Sequence, residues 1–131
     1  ELNLMKAGGN YGWPVISYGK EYSGEQVGEG TQKEGYEQPV YYWDPVISPS
    51  SLMFCDGDLF PAWKGNAFVT SLSQRQLVRL VLAGDKVVGE ERLLTERNER
   101  LRQVKQGPDG ALYILTDLRK AQILRLAPAG R

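Results

Sequence analysis

Short apolar runs, each broken within a few residues by glycine, proline or aspartate, set the pattern of this chain from Gln38 onward. Runs of that length and spacing predict strands. The expected set is Pro39 to Trp43, Ser51 to Phe54, Asn66 to Leu72, Gln76 to Leu82, a strand resuming at Val87-Val88 and continued by Glu91 to Leu94, Arg102 to Lys105, Leu112 to Asp117 and Gln122 to Leu126. Pro39 suits a strand start. Asp44-Pro45 and Ser48-Pro49 mark a turn, and Ala83-Gly84-Asp85-Lys86 reads as the loop of a hairpin. No segment keeps a 3.6-residue apolar period for three turns, so no long helix is expected.

The first third of the chain is less regular. Glu1 to Met5 alternates enough to predict a short strand, which Gly8-Gly9-Asn10-Tyr11-Gly12-Trp13-Pro14 then breaks. Tyr18 to Gly35 is polar and glycine-rich and reads as a long surface loop. Loops of that length in compact domains carry function or are disordered.

Ala111 to Leu115 runs without a polar break, which predicts a strand covered on both faces, as in sheets stacked on sheets. Four-stranded antiparallel meanders stacked radially are propeller blades. At about 40–50 residues per blade, Gln38 to Leu126 holds roughly one and a half to two. No propeller closes with so few, so the chain reads either as part of a longer propeller or as a unit whose copies assemble.

Composition agrees with an all-β chain: 131 residues carry 15 glycines and 7 prolines, with 3 Trp, 7 Tyr and 3 Phe spread over short segments. Lysine plus arginine equals aspartate plus glutamate at 16 each, so charge gives no case for nucleic acid or an anionic membrane surface. No apolar run approaches the roughly 18 residues of a membrane span. A lone Cys55 leaves no internal disulfide framework. No signal-peptide pattern is present, and an opening on Glu1 rather than methionine leaves room for an upstream segment. Histidine is absent, which excludes histidine triads and histidine-based zinc sites within the chain. Chemistry here needs a carboxylate, a lysine, a tyrosine or a cofactor, or its catalytic part lies elsewhere.

Arg100 and Arg102 are the sharpest candidates. Two residues apart on an extended segment, they share a face, and two like charges so placed need an anion or solvent to compensate them. A multiply carboxylated planar ligand matches two guanidinium forks. Two solvated arginines on an edge strand satisfy the same spacing.

Three stretches add a resemblance. Asn10-Tyr11-Gly12-Trp13-Pro14, Glu37-Gln38-Pro39-Val40-Tyr41-Tyr42-Trp43 and Arg100 through Gly110, reinforced by Leu112 to Asp117, resemble in order the C-terminal third of the soluble quinoprotein sugar dehydrogenases, the aldose and glucose/sorbosone group. The resemblance implies a partial six-bladed β-propeller, with residues 1–37 as the end of a preceding blade plus a long surface loop and 38–131 as C-terminal blades. It further implies pyrroloquinoline quinone (PQQ), a tricarboxylate, and calcium as cofactors, a sugar substrate, the missing blades as partners, and a periplasmic or secreted location. By position, Arg100, Leu101 and Arg102 would clamp the quinone, the strand end Ser71-Leu72-Ser73 would line its site, and Trp43 with Tyr41 would lie beside it. Trp43 reads equally as a core aromatic. Glu1 and Tyr11, the latter through its carbonyl, would hold a second, structural calcium. The family's catalytic histidine, its Arg-Asn pair and the ligands of its catalytic calcium have no counterpart here. Some members carry a lysine where this chain has Ser73, which cannot supply that charge. The resemblance thus implies a cofactor-cradle segment of a sugar dehydrogenase, inactive alone. A non-catalytic propeller-type interaction module, self-assembling into a ring, is the other reading of the same scaffold.

Overall fold

The computed structural model describes residues 1–130, and it is all-β. The chain divides into two compact units, Glu1–Val46 and the remainder from Ile47.

The second unit contains seven strands: β1 (Pro49–Phe54), β2 (Ala67–Ser71), β3 (Gln76–Ala83), β4 (Lys86–Leu93), β5 (Leu101–Gln106), β6 (Leu112–Thr116) and β7 (Ile123–Leu126). They form two consecutive antiparallel meanders, a four-stranded sheet ordered β1-β2-β3-β4 and a three-stranded sheet ordered β5-β6-β7. The expected hairpin closes as β3 and β4, with Ala83 opposite Lys86 and Gly84 supplying the left-handed backbone at φ 60°. Two short 3-10 turns, Pro61–Trp63 and Thr95–Arg97, are the helical content among the described residues.

Pleating sorts the side chains. On one face of the first sheet lie Met53, Phe68 and Leu77; on the facing side of the second lie Leu101, Val104, Leu112 and Ile114, and these enclose a single core with Cys55 and Phe60. Phe68, Leu77, Leu112 and Ile114 are fully inaccessible. At about 25 cal/mol per Å² of apolar surface removed from water, this layer is the main source of stability in the unit. β2 is buried at every position. β6 is not: Tyr113 is half-buried and Leu115 is 37% exposed. The apolar run through Ala111–Leu115 therefore overstates coverage, because one face of the three-stranded sheet carries the open cross-strand pair Leu115–Ile123.

Two irregularities decide where the polar chemistry goes. The ladder between β1 and β2 shifts between Pro49 and Ser51, leaving Ser50 as an extra residue, and the ladder between β5 and β6 shifts between Leu101 and Gln103, leaving Arg102 extra. Bulges of this kind re-aim a side chain and bend the strand. The burial of β5 shows it, since Leu101 and Val104 both point inward although three residues apart.

The first unit has no strand of more than a single bridge among the described residues. The expected strands at Glu1 to Met5 and Pro39 to Trp43 reduce to one antiparallel bridge, Leu2 with Tyr41. Two facing segments with no third strand gain too little to extend a ladder. The segment Tyr18–Gly35 is a loop, but a folded one: it doubles back through a Lys20–Gln26 bridge, Glu29 N–H donates to the Val15 carbonyl (2.8 Å), and Val27 is buried. Gly28 permits this with φ 67°; a Cβ there would overlap the carbonyl oxygens of Pro14 and Val15.

Candidate functional site

The two bulges meet. The Ser50 hydroxyl lies 2.9 Å from the Arg102 carbonyl oxygen, 3.1 Å from that of Leu101 and 2.9 Å from the Thr70 hydroxyl. Each hydroxyl has one proton, so Thr70 donating to Ser50 and Ser50 donating to Arg102 satisfies both. One residue on, the Ser51 hydroxyl lies against Val104, accepting from its N–H and donating to its carbonyl. The start of β5 is thereby stitched to the end of β2, and the two segments singled out by sequence, Ser71-Leu72-Ser73 and Arg100-Leu101-Arg102, lie at one end of the paired sheets.

Ser71 is buried and its hydroxyl is engaged within the fold. It donates to the Ile47 carbonyl (2.6 Å) and accepts from the Gln74 N–H (3.1 Å), which fixes the turn into β3. Leu72 and Ser73 donate their N–H groups to Ser48 and Ile47 (3.1 and 3.3 Å). Ser73 has an exposed side chain, and Leu72 is half-buried. These three residues therefore shape the rim, with Ser73 its exposed member.

Leu101 is 1% exposed and anchors the arginines on either side of it. Both guanidiniums turn to one carboxylate. Arg100 donates through Nε (3.1 Å) and one terminal nitrogen (3.0 Å), and Arg102 through one terminal nitrogen (3.2 Å), all to the same oxygen of Asp117. The Asp117 N–H in turn donates to the Arg100 carbonyl (2.7 Å). The shared face expected from spacing is present, and the anion demanded by two like charges comes from the chain itself. The bond from Arg100 and the charge of Arg102 hold the Asp117 carboxyl below its usual range. One carboxylate against two guanidiniums leaves a net positive charge. The arginine side chains are 41% and 51% exposed and Asp117 33%, so unused guanidinium donors face solvent. That donor set fits a carboxylated cofactor.

Asp117 was not singled out by sequence. Its signal was positional: the hairpin about Gly107–Gly110 runs Leu101 opposite Thr116, which sets Asp117 beside Arg100. Ser50 and Thr70 carried no such signal, because a bulge is needed to aim them.

In the first unit, Trp43 is buried and Tyr41 half-buried, and their rings meet edge to face at 5.2 Å between centroids. They sit in irregular backbone rather than on one strand face. The Trp43 indole N–H is buried without a partner. Glu1 and Tyr11 line one small cavity of about 10 Å³ together with Ser17, Thr31 and Glu37. The Tyr11 hydroxyl donates to the Leu4 carbonyl and accepts from the Lys6 N–H, both at 2.7 Å, and Glu37 is ion-paired with Lys6 at 2.6 Å. Calcium takes six to eight oxygens. Among the described residues no group of three or more acidic, histidine or cysteine side chains gathers to hold a metal.

Comparison with known proteins decides the family. The sequence matches the Glucose / Sorbosone dehydrogenase family over residues 1–125. The chain belongs to that family. It is 39% identical to Aldose sugar dehydrogenase YliI of Escherichia coli (strain K12) over 130 residues, covering 98% of this chain and 35% of that protein. The crystal structure of the soluble aldose sugar dehydrogenase from Escherichia coli in the apo-form superposes with a TM-score of 0.89 at 39% identity, over 96% of this chain and 37% of that one. The PQQ-bound form of aldose sugar dehydrogenase from Streptomyces coelicolor superposes with a TM-score of 0.68 at 25% identity, over 95% and 35%. The chain thus spans about a third of the length of these relatives. In this member of the glucose/sorbosone dehydrogenase family, the four-stranded and three-stranded meanders are consecutive sheets of a partial β-propeller.

Proposed function

We propose that this chain forms part of the cofactor cradle of a PQQ-dependent aldose dehydrogenase, with Arg100 and Arg102 binding carboxylates of the quinone. The observation that carries the reading is the convergence of both guanidiniums on the single oxygen of Asp117, which leaves positive charge and free donors facing solvent. PQQ is a tricarboxylate, and charge-assisted, forked hydrogen bonds are what arginine supplies best. Leu101 locks the pair by burial, and the Ser50–Thr70 junction sets its height relative to the Ser71–Ser73 rim.

When bound, the quinone supplies the oxidising chemistry, taking up the hydride released from the sugar's anomeric carbon. The residues of this chain bind and orient it. With no histidine in the sequence, removal of the sugar hydroxyl proton falls to groups outside the chain. The relatives named as aldose sugar dehydrogenases support an aldose as substrate, and a periplasmic or secreted location is part of the same proposal. The same reading keeps a structural calcium at Glu1 and the backbone carbonyl of Tyr11, hard oxygen donors of the kind calcium takes.

Adding PQQ to the polypeptide carrying this chain tests the reading. At a hundredfold excess over its dissociation constant, a ligand stabilises the folded state by about 2.7 kcal/mol. A raised melting temperature with a perturbed quinone absorbance is expected; an unchanged melting curve at millimolar PQQ would contradict the proposal.

A further inference from the structure

A third arginine stands at the same end of the sheets. Arg75 closes the turn from β2 to β3, two residues beyond Ser73, with a left-handed backbone at φ 54°. One terminal nitrogen donates to the Asn98 carbonyl (3.3 Å), two residues before Arg100. Its side chain is exposed, and among the described residues no carboxylate lies within ion-pair distance of it. The nearby acid Glu99 is engaged by Arg97 at 3.2 Å, and Asp117 is shared by Arg100 and Arg102. Arg100 and Arg102 thus share one carboxylate, and Arg75 at the same end of the sheets has none among the described residues.

We infer that Arg75 is a further binding residue of the site, a third cation for a ligand carrying more than one negative charge. The inference rests on the cofactor reading above and extends it to a residue on the facing blade. The left-handed backbone at Arg75 turns the chain so that its side chain leaves the sheet at the Asn98 side. The bond to Asn98 leaves Nε and the other terminal nitrogen of Arg75 free to turn toward an anion. A monoanion would be satisfied by the Arg100–Arg102 pair alone; the added charge favours a polycarboxylate.

The test separates charge from structure. Arg75→Gln keeps a donor for the Asn98 carbonyl and removes the charge; Arg75→Lys keeps the charge. PQQ is titrated into the wild-type polypeptide, both variants and Arg102→Ala at two salt concentrations. Arg75→Gln should weaken PQQ binding by about threefold to tenfold and flatten its salt dependence, with an unchanged melting temperature, while Arg75→Lys recovers part of the affinity. If Arg102→Ala weakens PQQ but Arg75→Gln matches wild type in affinity and salt response, Arg75 is only a turn residue and the inference is overturned while the cofactor reading stands. Failure of the wild type to bind PQQ would overturn both.

Discussion

The Ser50 hydroxyl donates across two sheets to the carbonyl oxygen of Arg102, over 2.9 Å, joining the extra residue of one bulged strand to the extra residue of another. A bulge leaves its extra residue unpaired in the ladder, and here the Ser50 side chain supplies the donor for the Arg102 carbonyl. Removing the hydroxyl takes the 2.9 Å donor from the Arg102 carbonyl and leaves it the Thr70 hydroxyl at 3.4 Å. Ser50→Ala should cost about 0.5–1.5 kcal/mol, read as a lower urea midpoint at unchanged slope. Thr70→Val should be non-additive with it, because Thr70 donates into the same junction. Strict additivity would show that the junction is not a unit.

Acid should loosen the second blade in a defined direction. Arg125 is the largest influence holding the Asp109 carboxyl below its usual range, aided by the Ala111 N–H and the Tyr113 hydroxyl; Arg100 does the same for Asp117. A depressed folded pKa gives stability that is fully present above the unfolded value, about 3.9, and is lost as pH falls through the folded pKa. Urea midpoints of wild type and Asp109→Asn should therefore differ by a constant amount from pH 7 to about 5, begin to converge near the unfolded value of about 3.9, and meet only below the depressed folded pKa. Both sites are solvent-facing, so the gap should shrink in high salt. A gap that widens on acidification would refute this assignment.

Much of the second unit was legible in the sequence because its strands are separated by turns with definite chemistry. Gly84-Asp85 and Gly107-Pro108-Asp109-Gly110 each fix a hairpin, and the alternation of Leu112 and Ile114 fixes which face is inward. The shared face of Arg100 and Arg102 was legible for the same reason. What escaped was whatever depends on non-local register. The bulges at Ser50 and Arg102 break the period of two without any marker such as glycine. Asp117 becomes the partner of the arginines only once β6 is paired to β5. The strands expected at Glu1 to Met5 and Pro39 to Trp43 have suitable residues, but only Leu2 and Tyr41 bridge, and local propensity alone does not make a sheet.

The most direct measurement is an equilibrium titration of PQQ into the polypeptide carrying this chain, with Arg100→Ala, Arg102→Ala and, as control, Arg92→Ala on the far edge strand, where the arginine pairs with Glu90 at 2.8 Å. Each charge-assisted contact contributes about 1.5–3 kcal/mol, so Arg100→Ala and Arg102→Ala should each raise the dissociation constant by about tenfold to a hundredfold. Arg92→Ala should bind as wild type does. Equal affinity in all four proteins would contradict the account, leaving the pair of arginines and Asp117 as a surface ion-pair network with no ligand of its own.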